Sequence, residues 1–534
     1  MKKKIIEEIE SYLENKKKMR YSEFIKFYNN NYKSLRNEIL KEYSKKLNLI
    51  HNKNYRVSEW QVIIGPWLDK SLGIYLFYKF FFKGKEFNKF FKFYNKVYKI
   101  KIPSDYNDFL KLVNEKKFYL YFISCLKFDC INITNVKATS INKKLKWKIF
   151  FLKFVNLLNR NKIYLSNSRF GNKNLISLLT YSFLKIIPIP NLYNNLVLKS
   201  LKKNSNLRKK FIKSFKIKNK NYEIIKILNH IIPKSYLENF KNLNLIGSKM
   251  IFKPKKIYTD STYIDDELLK IQIANWKNKG FKNLILAQHG GNYKIYDKTY
   301  LGNHEYDICD TYIDWSNEKK NKFKNLTSIR LNFFLEKNKK YLNLKKKYEI
   351  CFVLRPLRKT NFQSVFYESY LYKQNVQQIS YFLKNIDTNY VVKYYPEFRY
   401  PDQLTIKDIS KEFKIPFKKV KTNNEVIFKS NIVIFNYIST MLFEILAFNI
   451  PFLLIIDVKR HCLSNYGKKF IKDLKKINLC YSNYQSASKF LQNKKNLSTW
   501  WSDIKMQREI KVLKKKYGNT NKNYVNDWYN YFLK

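Results

Sequence analysis

The chain has 534 residues and only five histidines. Two of them, His289 and His304, stand where chemistry could be done. His289 belongs to Ala287-Gln288-His289-Gly290-Gly291-Asn292, directly after the apolar run Leu284–Leu286. In a parallel sheet, ligands bind beyond the carboxyl ends of the strands. Gly290 and Gly291 let the backbone turn tightly and approach a ligand closely. With a reference pKa near 6.5, a histidine there can take a proton from a hydroxyl. Gln288 and Asn292 complete this candidate substrate loop; the blander alternative is a turn whose histidine only bonds its own loop. His304 lies in Gly302-Asn303-His304-Glu305-Tyr306-Asp307. Position 308 is Ile and no second histidine follows at the required spacing, so this is not a zinc-protease motif. Glu305 can orient a histidine or hold a sugar hydroxyl, and a structural cap accounts for it equally well. Asp310 and Asp314 follow in a strand-like run.

A third constellation is NIVIF-NYIST-MLFEILAF. A buried strand ends at Phe435, and Ser439 or Thr440 then caps a helix. That helix is apolar on almost every side, yet carries Glu444 one turn in, and a carboxylate is seldom buried there without a partner. The free N–H groups of a helix start form an anion site. The expected arrangement is a donor phosphate on the helix N-terminus, with Glu444 on ribose or sugar hydroxyls. An ordinary cap, with Glu444 paired to a lysine, is the alternative. Arg355 and Arg358 follow the apolar run 348–354, and Lys393 lies in VVKYYPEF; such groups can fork onto or neutralise phosphate oxygens.

Elements must position these groups. The first 60 or so residues read as polar amphipathic helices. Trp60, Gly65, Pro66 and Trp67 suggest a helix broken or restarted at Pro66. Segments 118–125, 162–165, 250–252, 283–287 and 308–315 read as short strands. After a polar patch at 335–347 come strand 348–354, a helix near 372–385, strands 390–395 and 431–435, helix 440–448 and strand 451–457. Near-continuous apolar strands alternating with helices predict parallel sheets covered on both faces. The expected fold is α/β, with two Rossmann-type domains facing a cleft and added N- and C-terminal helices. The expected domains are 1–340 on the acceptor side, 341–494 on the donor side, and a helical tail at 495–534.

Composition bounds the partners. There are 105 Lys+Arg against 41 Asp+Glu, a formal net charge of +64. Such a field attracts nucleic acid, anionic lipid or phosphorylated substrates. The richness in Asn, Ile, Tyr and Phe, with only 11 Gly and 11 Pro, points to AT-biased coding as the source of most of the lysine. A single-strand nucleic-acid binder is the competing reading, given 43 Tyr and 42 Phe. Those aromatics fall mainly in strand-like apolar runs, where they read as core, and no specific nucleic-acid partner is expected. The six cysteines, Cys125, Cys130, Cys309, Cys351, Cys462 and Cys480, form no CxxC pair, which fits a reducing cytoplasm. The N-terminus lacks the apolar core of a signal peptide. Ser71–Phe82 is too short to span a membrane. A cytoplasmic protein, with peripheral contact at the inner face of an anionic membrane, is expected. There is no GxxxxGK[ST], no GxGxxG and no Asp-x-Asp triplet, so a metal-independent mechanism without a resident cofactor is expected.

Five blocks, SEWQVIIGPWL, IIPKSYLENF (231–240), LAQHGGNYK, GNHEYDICDTYIDW and SNIVIFNYISTMLFEILAFNIP, together resemble a family of bacterial transferases for surface-carbohydrate synthesis. The resemblance covers about residues 50–460. That family is similar, more distantly, to capsule Kdo-transferases and to the glycerophosphotransferases of wall teichoic acid, which have the GT-B architecture. The resemblance implies a glycosyltransferase of capsule, lipopolysaccharide or related polysaccharide synthesis. Its donor would be a nucleotide-activated sugar or polyol-phosphate serving as co-substrate, and its acceptor a glycan or lipid-linked glycan. It makes His289 the base and Ser439, Thr440 and Glu444 the donor-binding unit. Where the Kdo-transferases carry His-Pro, this chain has Tyr395-Pro396, which speaks against a Kdo donor. A catalytically inactive GT-B scaffold is the remaining alternative.

Overall fold

The structure is a computed structural model. It describes residues 2–81, 101–113, 162–191, 205–215, 220–250, 253–291, 293–296, 302–316, 326–354, 372–385, 388–394, 404–458, 463–493 and 496–534, with a few single positions between them. Contacts divide the chain into two compact units. Unit 1 is Met1–Ser168, Leu175–Ala287 and Asn303–Thr311; unit 2 is Arg169–Asn174, Gln288–Gly302 and Tyr312–Lys534.

Unit 1 opens with two long helices, Lys2–His51 and Val57–Phe81. Their aromatic faces interlock, with Phe24 edge-on to Phe77 and Tyr43 against Trp67. The second helix runs straight through Pro66, so the break expected there does not occur. Nearly every residue from Trp60 to Phe81 is buried, and burying a large apolar side chain contributes about 1.5–3 kcal/mol. Several such side chains outweigh the roughly 3 kcal/mol that an interior proline costs. Phe118, Tyr121 and Phe122 are helical and buried, which corrects the strand expected at 118–125. Aromatics at three- and four-residue spacing fit a helix face as well as a strand. Strands β1 (Ile163–Ser166), β2 (Ile186–Ile189), β3 (Lys256–Thr259) and β4 (Leu284–Ala287) are parallel and lie in the order β2-β1-β3-β4. Of the strand expected at 250–252, Met250 ends a helix and residues 251 and 252 lie outside the described residues.

The order of that first sheet goes on to β5 (Thr311–Ile313), at the boundary of the units, and β6 (Phe323–Lys324), which pairs with β5 in parallel; unit 2 holds a second sheet. The sheet consists of β7 (Tyr348–Leu354), β8 (Tyr390–Tyr394), β9 (Val420–Lys421), β10 (Ser430–Phe435), β11 (Phe452–Ile455) and β12 (Cys480–Tyr481). All its pairings are parallel and the order is β12-β11-β10-β7-β8-β9. Numbered from β7 as the first strand, this is the doubly wound order 3-2-1-4-5-6, whose direction reverses between β7 and β10. Its strands are buried almost end to end, as continuous apolar runs under helices on both faces should be. The tail is helical, at Leu497–Ser502, Ile504–Tyr517 and Tyr524–Leu533. Trp528 is buried there and donates to Thr327 O at 3.0 Å.

The protein is therefore built from two parallel-sheet α/β units with added helices. Cys309, Cys351 and Cys480 are buried free thiols; Cys125, Cys130 and Cys462 lie outside the described residues. Among the described residues, no helix is long and apolar enough to cross a membrane.

Candidate functional site

In unit 2 the chain leaves β10 and enters the helix Thr440–Phe448. Ser439 is its N-cap in extended backbone, and its Oγ accepts from Leu442 N at 3.4 Å. The helix ends at Asn449 in left-handed backbone, φ 62°. Because β10 borders the reversal of strand order, this N-terminus stands at the carboxyl edge where doubly wound sheets bind ligands.

The glycine loop is tied to the same place. Gly291 N donates to Thr440 Oγ1 at 3.0 Å. A Cβ on Gly291 would overlap the Phe443 ring and lie 2.9 Å from Ser439 O, so only glycine allows this approach. Gln288 holds the base of the loop. Its N donates to Ile313 O at 2.8 Å, its Nε2 to Gly290 O at 2.8 Å, and its Oε1 accepts from Trp315 N at 3.2 Å. His289 is half-buried, with Nε2 3.0 Å from the Tyr293 hydroxyl. That hydroxyl can donate to a neutral ring or accept from a protonated one, so it suits a ring that takes up and releases a proton. Arg330, in the helix Ile329–Asn338 capped by Ser328, donates through Nη1 to His289 O at 3.1 Å and through Nε to Glu444 Oε1 at 3.2 Å. Glu444 is 5% exposed. Burial raises its pKa, and Arg330, then Arg169 and Lys393, oppose that rise.

The loop continues onto a second helix start. Ser464 caps the helix Asn465–Lys476, and its N donates to Ile295 O at 3.0 Å while its Oγ bonds Lys294 O. At Gly467, Ile295 O occupies the space a Cβ would need. The Lys294 ammonium pairs with buried Asp314, which also accepts from Ser316 Oγ at 3.0 Å.

Unit 2 thus brings together Gln288, His289, Gly290, Gly291, Ser439, Thr440 and Glu444. Lys393 belongs to the same unit, but its side chain is buried and its Nζ donates to Thr422 O at 2.7 Å. Burial pulls its pKa down to about 8. Asn292, Arg355, Arg358 and the Tyr395-Pro396 element lie outside the described residues.

His304 and Glu305 belong to unit 1, on the helix Gly302–Ile308, and neither is exposed. The Glu305 carboxylate accepts from the Tyr263 hydroxyl. The His304 ring lies on Gly65, where a Cβ would come 2.5 Å from Nδ1. Its Nδ1 is 3.8 Å from Asp69 Oδ2, and Asp69 is held by Arg36 Nε at 2.5 Å. Among the described residues neither ring nitrogen makes a hydrogen bond. Burial, then Arg36 and Lys270, hold its pKa well below the usual value, so the ring is neutral. Asp310 is likewise engaged internally, accepting from Lys277 Nζ at 2.8 Å and Leu284 N at 2.9 Å. Among the described residues, no three His, Cys, Asp or Glu side chains group as metal ligands do.

Sequence reasoning overlooked Arg330, Tyr293 and Ser464. Arg330 had a usable signal. Only twelve of the 105 basic residues are arginine, so each stands out among the lysines. Arg36, Arg56, Arg208 and Arg330 all meet carboxylates, those of Asp69, Glu59, Glu238 and Glu444, as the guanidinium fork favours.

No curated protein matches the chain. Among solved structures, it is similar to the crystal structure of MurG from Acinetobacter baumannii at 8% sequence identity, with a TM-score of 0.35; the match covers 70% of this chain and 99% of that one. The model of the LIC12162 family transferases matches residues 2–532, and the chain belongs to that family.

Proposed function

We propose that the protein is a glycosyltransferase-like enzyme. In this reading it moves a sugar, or a polyol-phosphate, from a nucleotide-activated donor to a hydroxyl of a glycan acceptor in bacterial surface-polysaccharide synthesis. One observation carries the reading: a histidine-glycine-glycine loop hydrogen-bonded to a capped helix N-terminus beside the reversal point of a doubly wound sheet. The helix start at Ser439 and Thr440 offers N–H groups and a positive dipole end to the donor phosphates. His289 takes the proton of the acceptor hydroxyl as its oxygen bonds the transferred carbon or phosphorus. The bond from that atom to the nucleotide's phosphate oxygen breaks, and the nucleotide leaves with the pair. Fixed dipoles and cations neutralise the leaving phosphate without a resident metal or cofactor; Arg355, next in sequence after β7, adds to that charge. The protein works on the cytoplasmic side, in peripheral contact with the membrane that carries the acceptor.

A thermal-shift screen of CMP-, CDP-, UDP- and GDP-sugars and their free nucleotides tests the reading. A ligand of the native state at 100 times its dissociation constant adds about 2.7 kcal/mol of stability. One nucleotide class should raise the melting temperature, and Thr440→Val should reduce that rise. If none of the nucleotides shifts the melting temperature, the donor assignment fails.

A further inference from the structure

We infer that the tip of the crossover helix between β1 and β2, Asn172–Tyr181, seats the protein on an anionic membrane. The inference rests on the membrane contact in the proposed function and names the surface that makes it. At the end of that helix and in the turn after it, three large apolar side chains face solvent: Ile176 is 61% exposed, Tyr181 72% and Phe183 86%. Single exposed apolar residues are ordinary, whereas three so close together mark a contact surface. Thr180 follows Ile176 by one turn, and Phe183 N donates to Thr180 O at 3.0 Å, which gathers them at one end of the helix. The turn is not one that folding alone favours. Phe183 and Leu184 both hold left-handed backbone, φ 49° and 60°, which costs free energy at residues other than glycine. Other helices of the chain reach this backbone just past their ends at Asn52, Gly280, Asn449 and Asn478, and in one case at Lys414. A phenylalanine so exposed at such a position adds nothing to the core.

The backbone of the tip suits an apolar phase, where polar groups must be satisfied internally. Ser182 N donates to Leu178 O at 3.2 Å, Leu184 N to Leu179 O at 3.0 Å and Lys185 N to Ser182 O at 3.0 Å. Both hydroxyls turn inward, Thr180 Oγ1 onto Ile176 O at 3.1 Å and Ser182 Oγ onto Leu179 O at 3.2 Å. Tyrosine and phenylalanine then meet the headgroup layer with no open backbone between them. Charge selects the lipid. From Cys130 to Tyr222 the sequence has twenty-one lysines and arginines and no aspartate or glutamate. A coding bias acts along the whole chain and does not empty one segment of acids. Lys185, next to the patch, is exposed. Such a segment attracts anionic headgroups and repels a second copy of itself. The tip lies at the amino edge of its sheet, where β2 begins, so a membrane held there leaves the carboxyl edge of that sheet open to ligands.

The test is co-sedimentation of the full chain with vesicles of phosphatidylcholine alone and of equal parts phosphatidylcholine and phosphatidylglycerol. Melting curves confirm that each variant is folded. Wild type should bind the mixed vesicles, less so as salt rises, and bind phosphatidylcholine far more weakly. Phe183→Asn should weaken binding to mixed vesicles by roughly tenfold or more, the scale of one large apolar side chain withdrawn from the membrane. The same variant should keep or raise the melting temperature, because asparagine tolerates the left-handed turn. Phe183→Trp, which keeps an aromatic ring, should match wild type. Leu49→Asn, at a leucine 77% exposed elsewhere in unit 1, should also match it, which separates insertion at the tip from general attraction to a basic chain. Wild-type partitioning in Phe183→Asn overturns the inference, even where membrane contact itself stands. Wild type that does not bind the mixed vesicles overturns both the inference and the membrane contact, and leaves the nucleotide screen to decide the transferase reading. If the chain self-associates in solution and Phe183→Asn abolishes this, a second copy covers the patch and the inference falls.

Discussion

His289 and His304 carry the same side chain fifteen positions apart, and their surroundings divide them. His289 is half-buried in a glycine loop, with a tyrosine hydroxyl on its ring and a helix N-terminus bonded to its neighbour Gly291. His304 is fully buried against Gly65, held neutral, with no hydrogen bond at either ring nitrogen among the described residues. The nearby carboxylates differ too. Glu444 meets an arginine with donors to spare, whereas Asp69 meets Arg36 inside the helical pair, with Arg36 8% exposed. Reactive residue types therefore mark a site only where the fold leaves them a partner still to be met.

Three perturbations sharpen this contrast, from the largest expected effect to the smallest. Arg330→Ala leaves Glu444 buried without its main partner. Unfolding by urea should show a loss of about 3 kcal/mol or more, most of it recovered by adding Glu444→Gln. An Arg330→Ala loss no larger than a surface substitution would place Glu444 in water. Gly65→Ala puts a methyl into the His304 ring; overpacking of this kind costs about 1–3 kcal/mol. His304→Ala in the same chain should recover part of it, and strict additivity would show that the two do not touch.

The effect that is smallest near neutral pH is on acid stability. Burial holds His304 well below its usual pKa and His51 down to about 4. Below pH 6.5 the unfolded chain takes up protons that the folded chain refuses. Stability from these residues is therefore full above 6.5 and falls as the pH drops, by up to about 1.4 kcal/mol per unit for each histidine. His304→Ala should make the acid limb of a urea-midpoint profile shallower; an unchanged limb would mean that His304 is protonated in the fold.

Much of unit 2 was legible in the sequence because its strands are continuous apolar runs with clear ends. Strand 348–354, helix 372–385 and helix 440–448 stand at the expected positions. The two-residue strands β9 and β12 carry too little sequence for any period to show. Unit 1 was harder to read. Its aromatic runs suit helix or strand alike, and burial of the whole second helix overrode the local signal of Pro66. Gln288, His289 and Gly291 were visible through residue type and their place after a strand. Arg330 was not, because its meaning comes from a carboxylate 114 positions away. Lys393 looked available at a strand end, but its chain turns inward to Thr422 O.

The most direct test of the account compares His289→Ala with His304→Ala, measuring nucleotide affinity and transfer on the same preparations with the donor that stabilises wild type. The account predicts that His289→Ala keeps wild-type nucleotide affinity and loses transfer by about 10²–10⁴-fold, the usual contribution of a general base. It predicts that His304→Ala keeps transfer per folded molecule. Wild-type turnover in His289→Ala would contradict the account, and so would loss of chemistry confined to His304→Ala.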